Sequence, residues 1–109
     1  MIDYAAVLNA IRPGTEWSVG ETYESLEWLD ESPKPSKATL DAAWPAVREA
    51  LAWRAVRVER DRLLAACDWT QVADAPVDAA AWAAYRQALR DVPQDYATPD
   101  AVVWPTIPA

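Results

Sequence analysis

The side chains that could perform chemistry in this sequence lack the partners that catalysis requires. The chain has 109 residues and no histidine, so its serines have no imidazole base, and no nucleophile-elbow pattern surrounds any of them. Cys67 is the single cysteine, and we expect a small buried or half-buried thiol there. Two glycines are too few for a phosphate-binding loop or a dinucleotide fingerprint. We therefore expect no catalytic residues and no enzyme activity.

Carboxylates are numerous but are not arranged as ligands or as an acid–base pair. Glu24 and Glu27 lie close in sequence, as do Asp30 and Glu31. Clusters of this kind are far more often solvated surfaces than glycosidase-like pairs. No Asp-x-Asp-x-Asp-Gly run is present for calcium, and zinc sites built from histidine and cysteine are excluded. We expect no metal and no cofactor.

The charge balance disfavours anionic partners. The sequence has 17 acidic against 10 basic residues, a net charge of −7, and such a field repels nucleic acid and anionic lipid. Acidic residues crowd positions 1–31, whereas five arginines lie within positions 48–62 beside Glu49, Glu59 and Asp61. This pattern is typical of a salt-bridged helix face. It also leaves open a contact with the acidic front of the same chain, or self-association through residues 46–67.

The aromatic content is unusual, with seven tryptophans, four tyrosines and no phenylalanine. Tryptophan and arginine are enriched at the hot spots of protein interfaces, but a small alanine-rich chain also needs large side chains for its core. Composition alone does not separate these two roles.

The elements that position these residues begin with a helix over 3–11 capped by Asp3. Alternating runs around Trp17 and Trp28, with Gly20-Glu21 between them, predict an antiparallel hairpin that must pack on helices. A proline-stiffened loop follows over 30–35, and Ser36 is a candidate helix N-cap.

From residue 37 to about 67 the pattern is helical. One apolar stripe recurs at spacings of three and four: Leu40, Trp44, Val47, Leu51, Ala55 and Val58. Pro45 either kinks this helix or begins a second one, and we expect a kink or break near Trp44-Pro45.

Asp78 is expected to cap a last helix over 79–91 that Pro93 ends, and an irregular, apolar tail follows. The fold class is therefore α+β: a short N-terminal helix and antiparallel hairpin packed with a long, proline-kinked helix, then a small helix and an extended tail. The expected organisation is an N-terminal unit over 1–45, a connecting helix over 46–67 and a C-terminal module over 68–109.

Four patterns occur in order over the second half of the chain. They are Arg-x-x-Leu-Leu from Arg60, Asp68-Trp69, Trp-x-x-Tyr-Arg-x-x-Leu-Arg from Trp82, and Trp104-Pro105. This segment, Arg60 to Pro108, resembles the phage tail assembly chaperone family, which includes tail fibre assembly proteins. The front half, from Tyr23 to Trp44, looks like the leading segment of short phage tail proteins.

The resemblance implies a protein that binds a tail fibre or other tail protein without covalent chemistry and promotes its folding, trimerisation or attachment. The alternative is a permanent minor subunit of the tail or baseplate. The implied location is the cytoplasm of the bacterial host during assembly, or the virion tail, and the lack of a basic, apolar leader agrees with a cytoplasmic protein. The implied partner-binding residues are Trp69, Trp82, Tyr85, Arg86, Arg90, Trp104 and Pro105.

Overall fold

A computed structural model describes all 109 residues of the chain. Its regular elements are α1 (Tyr4–Ile11), β1 (Trp17–Ser18), β2 (Glu27–Trp28), α2 (Lys37–Ala66) and α3 (Ala79–Asp95), with 3₁₀ turns at Tyr23–Ser25, Asp68–Gln71 and Pro99–Ala101. Three helices and one two-stranded antiparallel sheet confirm the predicted α+β class. The chain divides into two compact units, Met1–Ala50 and Leu51–Ala109, and α2 has residues in both.

The first unit is organised around α1. The helix begins as predicted, because the Asp3 carboxylate accepts a hydrogen bond from the Ala6 amide at 3.0 Å. Its inward face forms a core with the hairpin and the start of α2. The buried members of this core are Tyr4, Val7, Leu8, Leu26 and Leu40. Full burial of a leucine side chain contributes roughly 1.5–3 kcal/mol, so a few such residues account for much of the stability of a unit this small.

The hairpin forms with a longer connection than the sequence suggested. Trp17 pairs with Trp28 and Ser18 with Glu27, so each strand is only two residues long. The chain does not reverse tightly at Gly20-Glu21, because the segment between the strands contains the 3₁₀ turn Tyr23–Ser25. The Ser25 hydroxyl accepts the Gly20 amide at 2.8 Å, which satisfies a backbone donor that the short sheet leaves unpaired.

Helix α2 passes through Pro45 without ending. Its start agrees with the prediction, since the Ser36 hydroxyl accepts the Thr39 amide at 3.1 Å. The alternative of a second helix beginning at Pro45 is wrong. A proline inside a helix removes one hydrogen bond and costs about 3 kcal/mol. Burial on both sides of it offsets that cost, because Leu40 is fully buried and Val47 packs against the same core.

The apolar stripe along α2 is buried over only part of its length. Leu40, Trp44 and Val47 contribute to the first core. Further along, Leu51 is 39% exposed and Val58 is 64% exposed, so the stripe continues onto the surface. The Leu63, Leu64 and Cys67 side chains, which lie off this stripe, pack instead into the core of the second unit.

Helix α3 begins where predicted and ends later. The Asp78 carboxylate accepts the Ala81 amide at 3.1 Å and caps the helix. Pro93 does not end it, and the helix continues to Asp95. The residues on the inward side of the preceding turn, Leu89 and Val92, are almost completely buried, so packing holds the last turn despite the missing backbone donor.

Candidate partner-binding site

The second unit brings the end of α2, the turn after it and α3 around one small core. Cys67, Tyr85 and Leu89 are its buried members, and Leu63, Leu64, Trp82 and Trp104 pack against them. The Cys67 thiol donates to the Leu63 carbonyl at 3.2 Å, which confirms the expected structural thiol. Burial raises the pKa of the Tyr85 hydroxyl, with a smaller contribution from Cys67. Four chain segments therefore meet at this core.

The turn after α2 is closed by a threonine that the sequence analysis did not single out. Thr70 is completely buried, and its hydroxyl donates to the Cys67 carbonyl at 2.6 Å. Its backbone amide donates to the same carbonyl at 3.1 Å. A threonine whose hydroxyl bonds the carbonyl three residues earlier, here that of Cys67, is a recognisable sequence signal for this side-chain-to-backbone closure. The closure fixes the direction in which Trp69 leaves the helix.

Arg86 is the side chain that joins α3 to the end of α2. Its guanidinium donates to the Leu64 carbonyl at 2.8 Å, to the Cys67 sulfur at 3.1 Å and to the Asp68 carboxylate at 2.8 Å. The Arg86 side chain is only 11% exposed. A cation at a helix C-terminus satisfies free carbonyls and interacts favourably with the helix dipole. Arg86 thus pairs with Asp68, and these contacts use most of its donors within the unit.

Arg90 lies one turn further along α3 and is exposed. No carboxylate lies within ion-pair distance of it, and Asp91 instead accepts a hydrogen bond from Gln87 at 3.0 Å. The two arginines of the Tyr-Arg-x-x-Leu-Arg pattern therefore differ. Arg86 is held by its own unit, whereas the Arg90 guanidinium is free.

Tryptophan rings extend the core to the surface. Trp82 meets Tyr85 edge to face at 5.6 Å between ring centroids, and Trp69 lies 6.4 Å from Trp82. Trp69 is 51% exposed, and Trp82 is half-buried beneath it. Trp104 packs on the same core from the tail. Trp82 and Trp104 therefore pack on one core, and Trp69 adjoins that core through Trp82.

The tail is extended after the turn Pro99–Ala101 and is attached at Val103 and Trp104. The Tyr96 hydroxyl donates to the Val103 carbonyl at 2.9 Å, and the Trp104 ring packs on the core. Pro105 is half-buried. The Val103 and Ile107 side chains are 69% and 59% exposed. The tail is thus docked through one face and presents aliphatic side chains on the other.

The remaining features do not indicate an active centre. No group of three or more histidine, cysteine, aspartate or glutamate residues is close enough to hold a metal ion. A hollow of about 260 Å³ lies in the first unit, lined by Met1, Ile2, Asp3, Tyr4, Gly20 and Glu21. It contains none of the residues expected to bind a partner. No helix has the length and hydropathy needed to cross a membrane.

Residues 53–109 match the model of a protein family described as "Phage tail assembly chaperone protein". The match covers just over half of the chain and falls on the second compact unit. No curated protein and no solved structure matches the chain.

Proposed function

Because the chain belongs to the phage tail assembly chaperone family, with a chaperone role in tail assembly, we propose that its client is a tail fibre or another tail protein. The second unit binds this client non-covalently and promotes its folding, trimerisation or attachment. The observation that carries the proposal is the half-exposed Trp69 ring, which lies against the Trp82 ring, while Trp82 in turn meets the buried Tyr85.

The supported tryptophan has the physical properties of an interface anchor. A ring held by neighbouring rings loses little conformational freedom on binding, and it offers a large apolar area together with an indole N–H. Trp69 provides this ring. Arg90 adds a free guanidinium, and Val103 and Ile107 add exposed aliphatic surface. Aromatic, arginine and aliphatic groups of this kind are those enriched at protein interfaces.

Within the predicted set, we propose two roles. Trp69, Trp82, Arg90, Trp104 and Pro105 contact the client, because each retains accessible surface. Tyr85 and Arg86 hold the aromatic rings and the turn in place, because their own contacts lie within the unit.

The mechanism we propose requires binding energy alone. Unassembled tail proteins expose apolar surface and strand edges, and species of this kind aggregate. A chain that covers such a surface shifts the population towards folded or assembled client without any nucleotide. The setting is the cytoplasm of the bacterial host during phage assembly, and a chain that remained attached would also be found in the virion tail.

Co-expression with a phage tail fibre protein tests the proposal. The expected result is a soluble, trimeric fibre only when this chain is present, with co-purification of the two. Trp69→Ala should reduce co-purification, whereas Trp53→Ala serves as the matched control, because Trp53 is a partly exposed tryptophan outside the aromatic cluster. A fibre that assembles equally well alone and never co-purifies would overturn the fibre as client. Analysis of purified particles then separates a transient chaperone from a permanent tail or baseplate subunit.

A further inference from the structure

The second half of α2 carries an exposed apolar strip with an arginine border. Leu51, Ala55 and Val58 follow one another at helical spacing, and Val58 is 64% exposed. Arg54 and Arg57 lie beside this strip, exposed and without an ion-pair partner. This surface is named the basic strip. Its charge is opposite to that of the whole chain, which carries −7.

The hairpin region carries the complementary surface. Between residues 13 and 33 there is no lysine or arginine, and the acidic residues of this segment are Glu16, Glu21, Glu24, Glu27, Asp30 and Glu31. Leu29 lies among them and is 64% exposed. The segment Glu27–Glu31 is named the acidic knob. Its Glu27 and Glu31 side chains are exposed and have no ion-pair partner.

Each of these two surfaces has an exposed aliphatic side chain bordered by charged side chains that form no ion pair. The border is positive on the basic strip and negative on the acidic knob. The arginine ion pairs within α2 are local, between Arg60 and Asp61 and between Arg62 and Glu59. Within its own unit, neither the Glu27 nor the Glu31 carboxylate forms an ion pair. Burying aliphatic surface inside a border of opposite charges favours association and selects its orientation.

We propose that the basic strip of one chain binds the acidic knob of a second copy, so that two copies form a reciprocal dimer. A two-fold dimer of this type contains the contact twice, which doubles the buried area and closes the assembly. Pairing of two basic strips is disfavoured, because Arg54 and Arg57 would then approach the arginines of an identical surface. The association does not depend on the proposed client.

Sedimentation velocity of the purified chain tests the dimer, at concentrations up to about 100 μM and at low and high salt. The expected result is a dimer whose dissociation constant rises with ionic strength, because the exposed charged borders are screened. A chain that stays monomeric at low salt would overturn the proposal. The measurement contains no tail protein, so failure here leaves the proposed function standing, and failure of the fibre experiment leaves the dimer standing.

Charge reversal identifies the two surfaces. Arg54→Glu/Arg57→Glu and Glu27→Arg/Glu31→Arg should each raise the dissociation constant about tenfold or more, since each change occurs twice in the dimer. Asp74→Arg/Asp95→Arg is the matched control: it makes the same change in net charge as the knob variant at exposed carboxylates outside both surfaces, and its dissociation constant should stay close to that of the native chain. If this control raises the dissociation constant as much as the knob variant does, the change in net charge alone explains the weakening. The assignment of the acidic knob to the dimer interface would then be wrong.

Mixing the two reversed variants gives the strictest result. Each variant alone should be monomeric, whereas the mixture should contain heterodimers, because the reversed strip of one chain meets the reversed knob of the other. Circular dichroism melting of each variant checks that it is folded before it is mixed. A mixture of folded variants that remains monomeric contradicts the reciprocal contact.

Discussion

Replacing Arg86 by methionine is the sharpest test of how the second unit is held together. Methionine keeps a long apolar stem and removes the guanidinium, so packing along the stem changes little. The change leaves the Leu64 carbonyl, the Cys67 sulfur and the Asp68 carboxylate without their shared donor. The effect therefore isolates the polar link between α3 and the end of α2.

The magnitude follows from the exposure of each partner. A hydrogen bond from a charged group to a carbonyl contributes about 1.5–3 kcal/mol, and Arg86 is only 11% exposed, so the bond to Leu64 falls within this range. Asp68 is 67% exposed, and the ion pair adds only about 0.3–1 kcal/mol after solvent screening. The summed loss is about 3 kcal/mol, enough to lower the melting temperature of a chain of this length by roughly 13 °C.

Urea unfolding monitored by tryptophan fluorescence and circular dichroism measures this loss. Arg90→Met is the matched control and should change the unfolding free energy by less than about 0.5 kcal/mol, because Arg90 is exposed and unpaired. Asp68→Asn separates the ion pair from the carbonyl contact and should lower the unfolding free energy by less than about 1 kcal/mol. If Arg86→Met is no more destabilising than Arg90→Met, the link between the two helices has been assigned wrongly.

Three other expectations follow from the contacts of single side chains. Trp82→Ala should lower the unfolding free energy by about 2–3 kcal/mol, less than for a fully buried tryptophan because this ring is half-buried, and a change near zero in urea titrations would contradict its packing on Tyr85. Val103→Ser/Ile107→Ser should weaken pull-down of the client while leaving the melting temperature unchanged, because both side chains are exposed; a parallel loss of stability would indicate a folding role instead. The hydrogen bond from Lys37 holds the pKa of Asp41 below its ordinary value of 3.8. This contribution to stability is complete above that value and is lost as the pH falls below it, so the melting temperature of the native chain should fall more steeply on acidification than that of Asp41→Asn.

The starts of the three helices illustrate why local signals succeed. Asp3, Ser36 and Asp78 cap the three helices as their positions in the sequence indicated. A side-chain cap involves neighbours within three residues, so sequence alone contains both partners of each bond. The hairpin is a second local signal, because the alternating residues around Trp17 and Trp28 predicted the two strands that pair.

Pro45 and Pro93 show where local signals fail. Pro93 was expected to end α3, and a break or a new helix at Pro45 were two of the expected alternatives, yet both prolines lie inside a continuous helix. The cost of a proline is local, but the packing that offsets it comes from residues distant in sequence. The exposure of Leu51 and Val58 could not be predicted for the same reason. Their spacing places them on one face of the helix, but only residues distant in sequence decide whether that face is covered.

For the candidate site, the sequence by itself determined which residues are present: a pattern like that of tail assembly chaperones, tryptophans at the turn, helix and tail, and two arginines one turn apart. Only the tertiary structure decided their different situations. It buried Arg86 against the Leu64 carbonyl at the end of α2 and left Arg90 free. It also placed Trp82 next to Trp69 and left Trp69 exposed. The physical reason is that exposure depends on which segments approach from elsewhere in the chain, whereas caps and helical periodicity depend only on neighbours in sequence.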